Sequence, residues 1–430
     1  MLSALSPEKV QVNKNNTKPL VIIGALFFIF GFITWLSSVL IPYLQIACEL
    51  NNFQAYLVAF AFYISYFVMS VPSGWILKRS GFKNGMSIGL FTMAVGSLLF
   101  IPAALSRTYS TFLVGLFVQG TGMAILQTAS NPYLTVLGPR ESAARRISIM
   151  GICNGVAGAI APIILGSVIL NDADSLKKKI GGLNPAQKTA ELNNLVHLVI
   201  KPYIIIVLVL IVLAILVYKS SLPEIDTEEE DENVASANVN KTSIMQFPHL
   251  LLGVITLFLY VGVEVIAGNT IINYAALQGI ALSNAKFFTS LTLVGMLAGY
   301  IVGIICIPKY ITQEKALKIS SVLGLVFISI ALYTHGYTSV FFIAMLGVSN
   351  SLIWPSIWPL AIDGLGRFTK TGSSLLVMAI AGGAVIPLAY GYLADNYNAK
   401  LAYLIVIPCY AASWLYATWG HKIRVATKRS

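Results

Sequence analysis

Gly158-Ala159-Ile160-Ala161-Pro162, closed by Gly166, recurs 225 residues later as Gly383-Ala384-Val385-Ile386-Pro387, closed by Gly391. Glycines four residues either side of a proline, inside an apolar run, describe a bent helix that neighbours approach closely. A second pair repeats beside it. Gln127-x4-Pro132 returns as Asn350-x4-Pro355 at a spacing of 223, and Gly31 to Tyr43 can be laid over Gly262 to Tyr274 at 231. All three spacings are close to half of 430 residues. The chain therefore reads as two halves with one helix order. Parallel duplicated halves around a midplane site are transporter architecture, which a channel or an intramembrane enzyme does not require.

Composition sets the medium. Of the residues, 57% are apolar and 10% are charged, with a mean hydropathy of +0.79. A soluble domain carries about 25% charged residues, so a water-facing surface is excluded, as are a coiled coil and a disordered scaffold. The net charge of +11 reads as positive-inside loops beside anionic lipid, not as a nucleic-acid surface. Cys48, Cys153, Cys306 and Cys409 are scattered with no CxxC pair, and the four histidines are equally dispersed. No disulfide framework or metal site follows.

A span needs about 20 apolar residues, and twelve can be placed at roughly 19–46, 54–77, 84–104, 108–136, 145–170, 200–219, 247–274, 283–307, 315–334, 339–363, 373–394 and 400–419. The division expected is a cytoplasmic tail over 1–18, a six-helix bundle over 19–219, an acidic cytoplasmic linker over 220–246, a second bundle over 247–420 and a short tail over 421–430. With both termini inside, most of the 28 lysines and arginines fall on cytoplasmic segments. Lys177, Lys178, Lys179, Lys188 and Lys201 lie in or beside one long outer loop, where the rule has little force. The linker concentrates acids from Glu224 to Glu232 and reads as a disordered tether. In the outer loop, Asn184-Pro185 is a cap with proline at the first helical position. It predicts an external helix from Ala186 to Leu198, with a plain solvated loop as the alternative.

Gly74-Trp-Ile-Leu-Lys78-Arg79-Ser-Gly81-Phe-Lys83 lies between spans 2 and 3. Its glycines allow a tight turn, and its cations can bond neighbouring helix ends and gate the cytoplasmic side; ordinary positive-inside anchoring is the plainer reading. The loop resembles the G-x3-[DK]-R-x-G-[RK]-[RK] signature of the major facilitator superfamily, with Phe82 at the first basic position. A narrower resemblance covers nearly the whole chain. Gly31-Phe-Ile-Thr-Trp35-Leu with Pro42-Tyr43, Gln127-Thr-Ala-Ser-Asn131-Pro132-Tyr, Tyr260-Val-Gly-Val-Glu264 and Gly372-Ser-Ser-Leu-Leu-Val-Met378 look like the fucose–galactose–glucose symporter family, its glucose/galactose branch above all. The resemblance implies an all-α membrane protein with twelve transmembrane helices in two pseudo-symmetric six-helix bundles, the major facilitator fold. It also implies a multi-pass inner-membrane protein that takes a small-molecule sugar and meets lipid, with no nucleic-acid partner, no cofactor beyond a co-transported proton or sodium ion, and a monomeric state. There are departures. The acids that the fucose branch carries in the first and fourth spans align with Ser38 and Gln127, and a fifth-span glutamine aligns with Gly151, leaving only Asn154.

A census of the 17 acids isolates one. All the rest lie in the tether, tails, loops or span ends, whereas Glu264 lies well inside the seventh span with no comparably placed cation. Intramembrane acids default to functional roles. Cation coupling, substrate contact and a structural hydrogen bond to a neighbouring helix are the readings open to it. A sugar site needs amides and carboxylates for the sugar hydroxyls and an aromatic face for the apolar side of the ring. Ser38, Gln127, Asn131, Asn154, Asn269, Asn273 and Asn350 supply the first, and Trp35, Trp354 and Trp358 the second; small polar residues that merely pack helices, and interfacial tryptophans, are the competing explanation. Trp354 follows Asn350 by four residues and is expected on its helix face.

The resulting expectation is a secondary active transporter that takes up a neutral hexose by alternating access with cation symport. An uncoupled sugar uniporter, suggested by Ser38 and Gln127, and a non-transporting membrane sugar sensor stand as alternatives. No nucleophile–base or metal-ligand constellation points to an enzyme.

Overall fold

The computed structural model describes residues 17–136, 143–170, 175, 182–220, 222, 242–307, 309–365 and 368–423. Of the linker expected over 220–246, residues 221 and 223–241 lie outside the described residues, as do 1–16 and 424–430 of the two expected tails. The described chain is all helical, with twelve helices long and apolar enough to cross a membrane.

Spans 1 and 2 are Thr17–Ala47 and Asn52–Ser80. Gly81 ends the second and begins the third at φ 77°, a left-handed backbone that costs glycine nothing. Span 3 runs as Phe82–Leu98 and Phe100–Ser106, span 4 as Tyr109–Val136 and span 5 as Ala143–Ile169. The expected outer helix is Pro185–His197, started by a capping box between Asn184 and Gln187. It docks on span 1, where the Tyr43 hydroxyl meets the carbonyls of Leu195 and Val196 at 2.8 Å each, and Lys188 pairs with Glu49. Span 6 is Ile200–Lys219.

The second half departs from uninterrupted spans. Span 7 divides at Thr270 into Pro248–Asn269 and Ile271–Leu277. Spans 8 and 9 are Leu282–Cys306 and Gln313–Tyr333. Span 10 is not the single helix expected over 339–363. It stops at Asn350 and resumes at Ile353, running to Ile362. The cause is Pro355: it has no N–H to give the Ser351 carbonyl, and its ring would strike that carbonyl in a continuous helix. Span 11 likewise passes through a 3-10 turn at Ala379–Ala381 between Thr369–Met378 and Gly382–Asn396. Span 12 is assembled from Ala399–Ala402, Tyr403–Ile405 and Val406–Thr418.

The halves meet along two related seams, span 2 against span 11 and span 5 against span 8. The repeated glycines sit in them. Gly158 of span 5 faces Trp35 and Leu293, while a Cβ on its counterpart Gly383 of span 11 would come within 3.0 Å of the Tyr63 ring. Spans 3 and 6 pack together at one edge, spans 9 and 12 at the other, and their exposed Leu208, Leu216, Phe91, Val322 and Leu415 give these edges a lipid-compatible face.

Candidate functional site

The Gly74 to Lys83 turn marks one face of the bundle, here the near face. Hydrogen bonds that join the halves lie toward the opposite, far face. Asn273 Nδ2 donates to Gln45 Oε1 at 2.7 Å, and Gln45 Nε2 donates to Asn52 Oδ1 at 3.1 Å. The Asp395 carboxylate, at the end of span 11, then accepts from the Asn52 N–H (3.0 Å), Asn52 Nδ2 (2.8 Å) and the Phe53 N–H (2.7 Å). One carboxylate thus caps the start of span 2 from the other half of the molecule. Ser37 Oγ to Asn269 Oδ1 (3.1 Å) and Ser290 Oγ to the Ala159 carbonyl (2.6 Å) add two more cross-links. The far face is sewn shut.

At mid-depth lies Glu264, which is half-buried. Its carboxylate is within electrostatic reach of the hydroxyls of Tyr63, Tyr260, Tyr300 and Tyr410. These phenols come from spans 2, 7, 8 and 12, so four helices converge on one acid. Among the described residues no lysine, arginine or histidine pairs with it. Tyr63 is the contribution of the first half; it lies against Gly383, where an added Cβ would meet both its ring and Val265, and it is stacked on Tyr66.

Asn350 belongs to the same cluster. It is 0% exposed. The helix break just after it leaves its carbonyl to be met from outside, and the Tyr260 hydroxyl donates to that oxygen at 2.9 Å. Tyr410 donates to Asn350 Oδ1 at 2.7 Å and lies 3.0 Å from Ser349 Oγ. Asn350 Nδ2 is buried without a partner, and so is Asn269 Nδ2. Two carboxamides therefore have their oxygens engaged by hydroxyls and their NH2 groups unmatched. A buried, unmatched amide costs about 1–3 kcal/mol. Groups of this kind fit a ligand rich in acceptor oxygens.

The other expected contacts are spread out. Trp354 is half-buried and stacked on Trp358 at 5.6 Å and 24°. The interruption at Ser351–Leu352 falls between Asn350 and Trp354, with both of its residues in right-handed helical backbone. Trp35 is 5% exposed and wedged between Gly158 and Gly268, where a Cβ on either glycine would collide with the indole. Ser38 is buried and donates to the Trp35 carbonyl at 2.8 Å. Gln127 and Asn154 are half-buried in the first half. Asn273 belongs to the far-face chain, away from Glu264. The side chain of Asn131 lies outside the described residues. At the near face Lys78 and Arg79 are exposed, and the Arg79 guanidinium stacks 3.9 Å from the Trp75 ring centre; Gly74 and Lys83 are half-exposed.

Sequence reasoning missed Tyr63, Tyr300, Tyr410, Gln45, Asn52 and Asp395. Tyr260 alone carried a local signal, four residues before Glu264 on the same helix face. Buried phenols generally find a hydrogen-bond partner, but which partner depends on helices distant in sequence.

A family model described as the Major Facilitator Superfamily matches residues 23–387. A glucose/galactose transporter of Brucella abortus biovar 1 (strain 9-941) is 35% identical over 412 residues, with 95% of each chain covered. An L-fucose-proton symporter of Escherichia coli (strain K12) is 30% identical, covering 93% of this chain and 92% of that one. The crystal structure of the transporter FucP in the outward conformation superposes with a TM-score of 0.71 at 30% identity, over 94% of this chain and 99% of that chain. The helix order, the duplicated halves and these full-length matches agree: the chain belongs to the Major Facilitator Superfamily.

Proposed function

We propose that this protein is a membrane sugar transporter that carries a neutral hexose of the glucose or galactose kind by alternating access, coupled to a proton or sodium ion. It works in the inner membrane as a monomer among lipids, with both termini and the Gly74 to Lys83 turn on the cytoplasmic side, and with residues 19–219 and 247–420 as its moving halves. The names of its full-length relatives support the substrate class. The unmatched amides of Asn269 and Asn350 support a ligand of many oxygens, with Gln127, Asn154 and the Trp354–Trp358 stack as further contacts.

The observation that carries the coupling is the composition of the Glu264 shell. Three of its phenols belong to the second half, and Tyr63 to the first. When the halves part on the far face, Tyr63 leaves and water or a cation replaces it. The carboxylate then has different partners in the two states, which is what coupling requires: a ligand shifts a two-state equilibrium only by its differential affinity. The uncoupled alternative rests on Gln127 and on Ser38, whose hydroxyl is already engaged by the Trp35 carbonyl. One experiment separates the two. Glu264→Gln, reconstituted in proteoliposomes, should retain D-glucose or D-galactose counterflow while losing accumulation driven by an imposed cation gradient. Accumulation equal to that of the unaltered protein would remove Glu264 from coupling, and wild-type protein with counterflow but no accumulation would establish uniport.

A further inference from the structure

One exposed stripe of span 9 changes character along its length. Lys315 and Lys318 are exposed at its near end, and Ile319, Val322 and Val326 follow on the same face at helical spacing. Span 12 runs beside it, close enough that a Cβ on Gly324 would collide with the Tyr410 ring. Its own exposed stripe is apolar at Leu404 and Leu415 and ends, at the near face, in Trp419, which is 59% exposed. The two near ends are joined. Lys318 Nζ lies 5.6 Å from the Trp414 ring centre, and Trp414 meets Trp419 edge-on at 6.1 Å. Glu314, at the start of span 9, is within electrostatic reach of His421 and Lys422, which brings the turn after span 12 to the same corner. Three lysines against this one acid leave the corner positive. The duplicated edge of the first half is built differently. There Ser87 of span 3 donates to the Ala214 carbonyl of span 6 at 2.9 Å, and Ile215 and Leu216, next in sequence, are exposed.

We propose that this corner binds an anionic phospholipid of the phosphatidylglycerol kind, with its phosphate on Lys315 and Lys318, its headgroup against the Trp414–Trp419 pair and its acyl chains along the two apolar stripes. The order of the stripes matches the order of the lipid, charge first and hydrocarbon after. Indoles settle at the boundary between membrane and water. A lysine laid on a ring face is held at that boundary instead of reaching out into water. Its ammonium still has N–H donors for phosphate oxygens. A zwitterionic choline lipid brings its own cation to the same place and gains less from the lysines.

The test titrates the whole chain, purified in dodecyl maltoside, with dioleoyl-phosphatidylglycerol or dioleoyl-phosphatidylcholine and follows thermal unfolding. Phosphatidylglycerol should raise the unfolding midpoint at lower concentration than phosphatidylcholine does. Lys318→Ala should weaken that apparent affinity about fivefold, the equivalent of about 1 kcal/mol for one lysine at a membrane surface. Trp414→Leu keeps an apolar side chain without a ring face and should weaken it about two- to fivefold; if that variant does not fold, Lys318→Ala decides. Lys219→Ala removes an exposed lysine from the near end of span 6 and should leave the affinity unchanged. sn-Glycerol 3-phosphate, a headgroup fragment without acyl chains, should give no shift at the same concentrations. Equal responses to the two lipids, or a Lys318→Ala protein that responds like the unaltered one, would overturn the site. So would an equal loss in Lys219→Ala, which would mean diffuse attraction to the whole near face. A shift from sn-glycerol 3-phosphate as large as that from phosphatidylglycerol would overturn the lipid as occupant.

Discussion

Asp395 offers a direct way to perturb the closed far face. Its carboxylate accepts two backbone N–H groups and one side-chain amide at the start of span 2, at 2.7–3.0 Å, and thereby ties span 11 to span 2. The site is exposed, so solvent screens the charge and the capping geometry carries most of the effect. Loss of a capping side chain costs a helix start about 0.5–2 kcal/mol. Here that cost falls on the closed arrangement alone, because the two spans separate when the far face opens. A loss of about 1 kcal/mol multiplies the open-to-closed ratio by about five. Asp395→Ala should show the full shift. Asp395→Asn keeps one acceptor and loses the charge, and should show less. Spin labels at Leu105 and Tyr333, exposed at the far-face ends of spans 3 and 9, report the separation by pulsed dipolar spectroscopy in a variant with the native cysteines replaced. A larger long-distance population is expected for Asp395→Ala. An unchanged distance distribution would refute the reasoning, since these three bonds would then contribute nothing to closure.

Three further outcomes follow from the same geometry. Trp354→Ala removes one partner of the stack with Trp358 and should weaken sugar binding by about 1–3 kcal/mol, read from equilibrium binding; wild-type affinity in a folded variant would take Trp354 out of the site. Arg79→Ala at the near-face turn should slow net transport several-fold with sugar affinity nearly unchanged, and a weakened binding constant at full turnover would contradict a gating role. Gly268→Ala drives a Cβ into the Trp35 indole and should lower stability by about 1–3 kcal/mol, measured by thermal unfolding in detergent. A smaller residue at Trp35 should then suppress the defect, and a Gly268→Ala protein as stable as the original would show that the wedge yields freely.

Much of the architecture needed only the order of residues. A span announces itself by the length of an apolar run, since no buried backbone group goes unpaired in lipid, and the outer helix by Asn184-Pro185. The duplicated Gly158 and Gly383 motifs exposed the two halves because each must admit a neighbour's side chain at its own one of two related seams. Glu264 stood out because charge inside a membrane is expensive and rare. What sequence could not supply was the company each residue keeps. Trp35 had the composition of a sugar platform, yet glycines at positions 158 and 268, from different halves, make it a wedge. Asn350 and Trp354 had helical spacing, but nothing in that spacing announced that Tyr260, 90 residues earlier, donates to the Asn350 carbonyl. Asp395 looked like a loop acid until folding brought it against Asn52, 343 residues away. Local pattern determines whether a segment is a helix and which medium surrounds it, because those depend on neighbours within a turn or two. Which side chain receives which proton depends on how helices from both halves are set against one another, and the tertiary structure alone decides that.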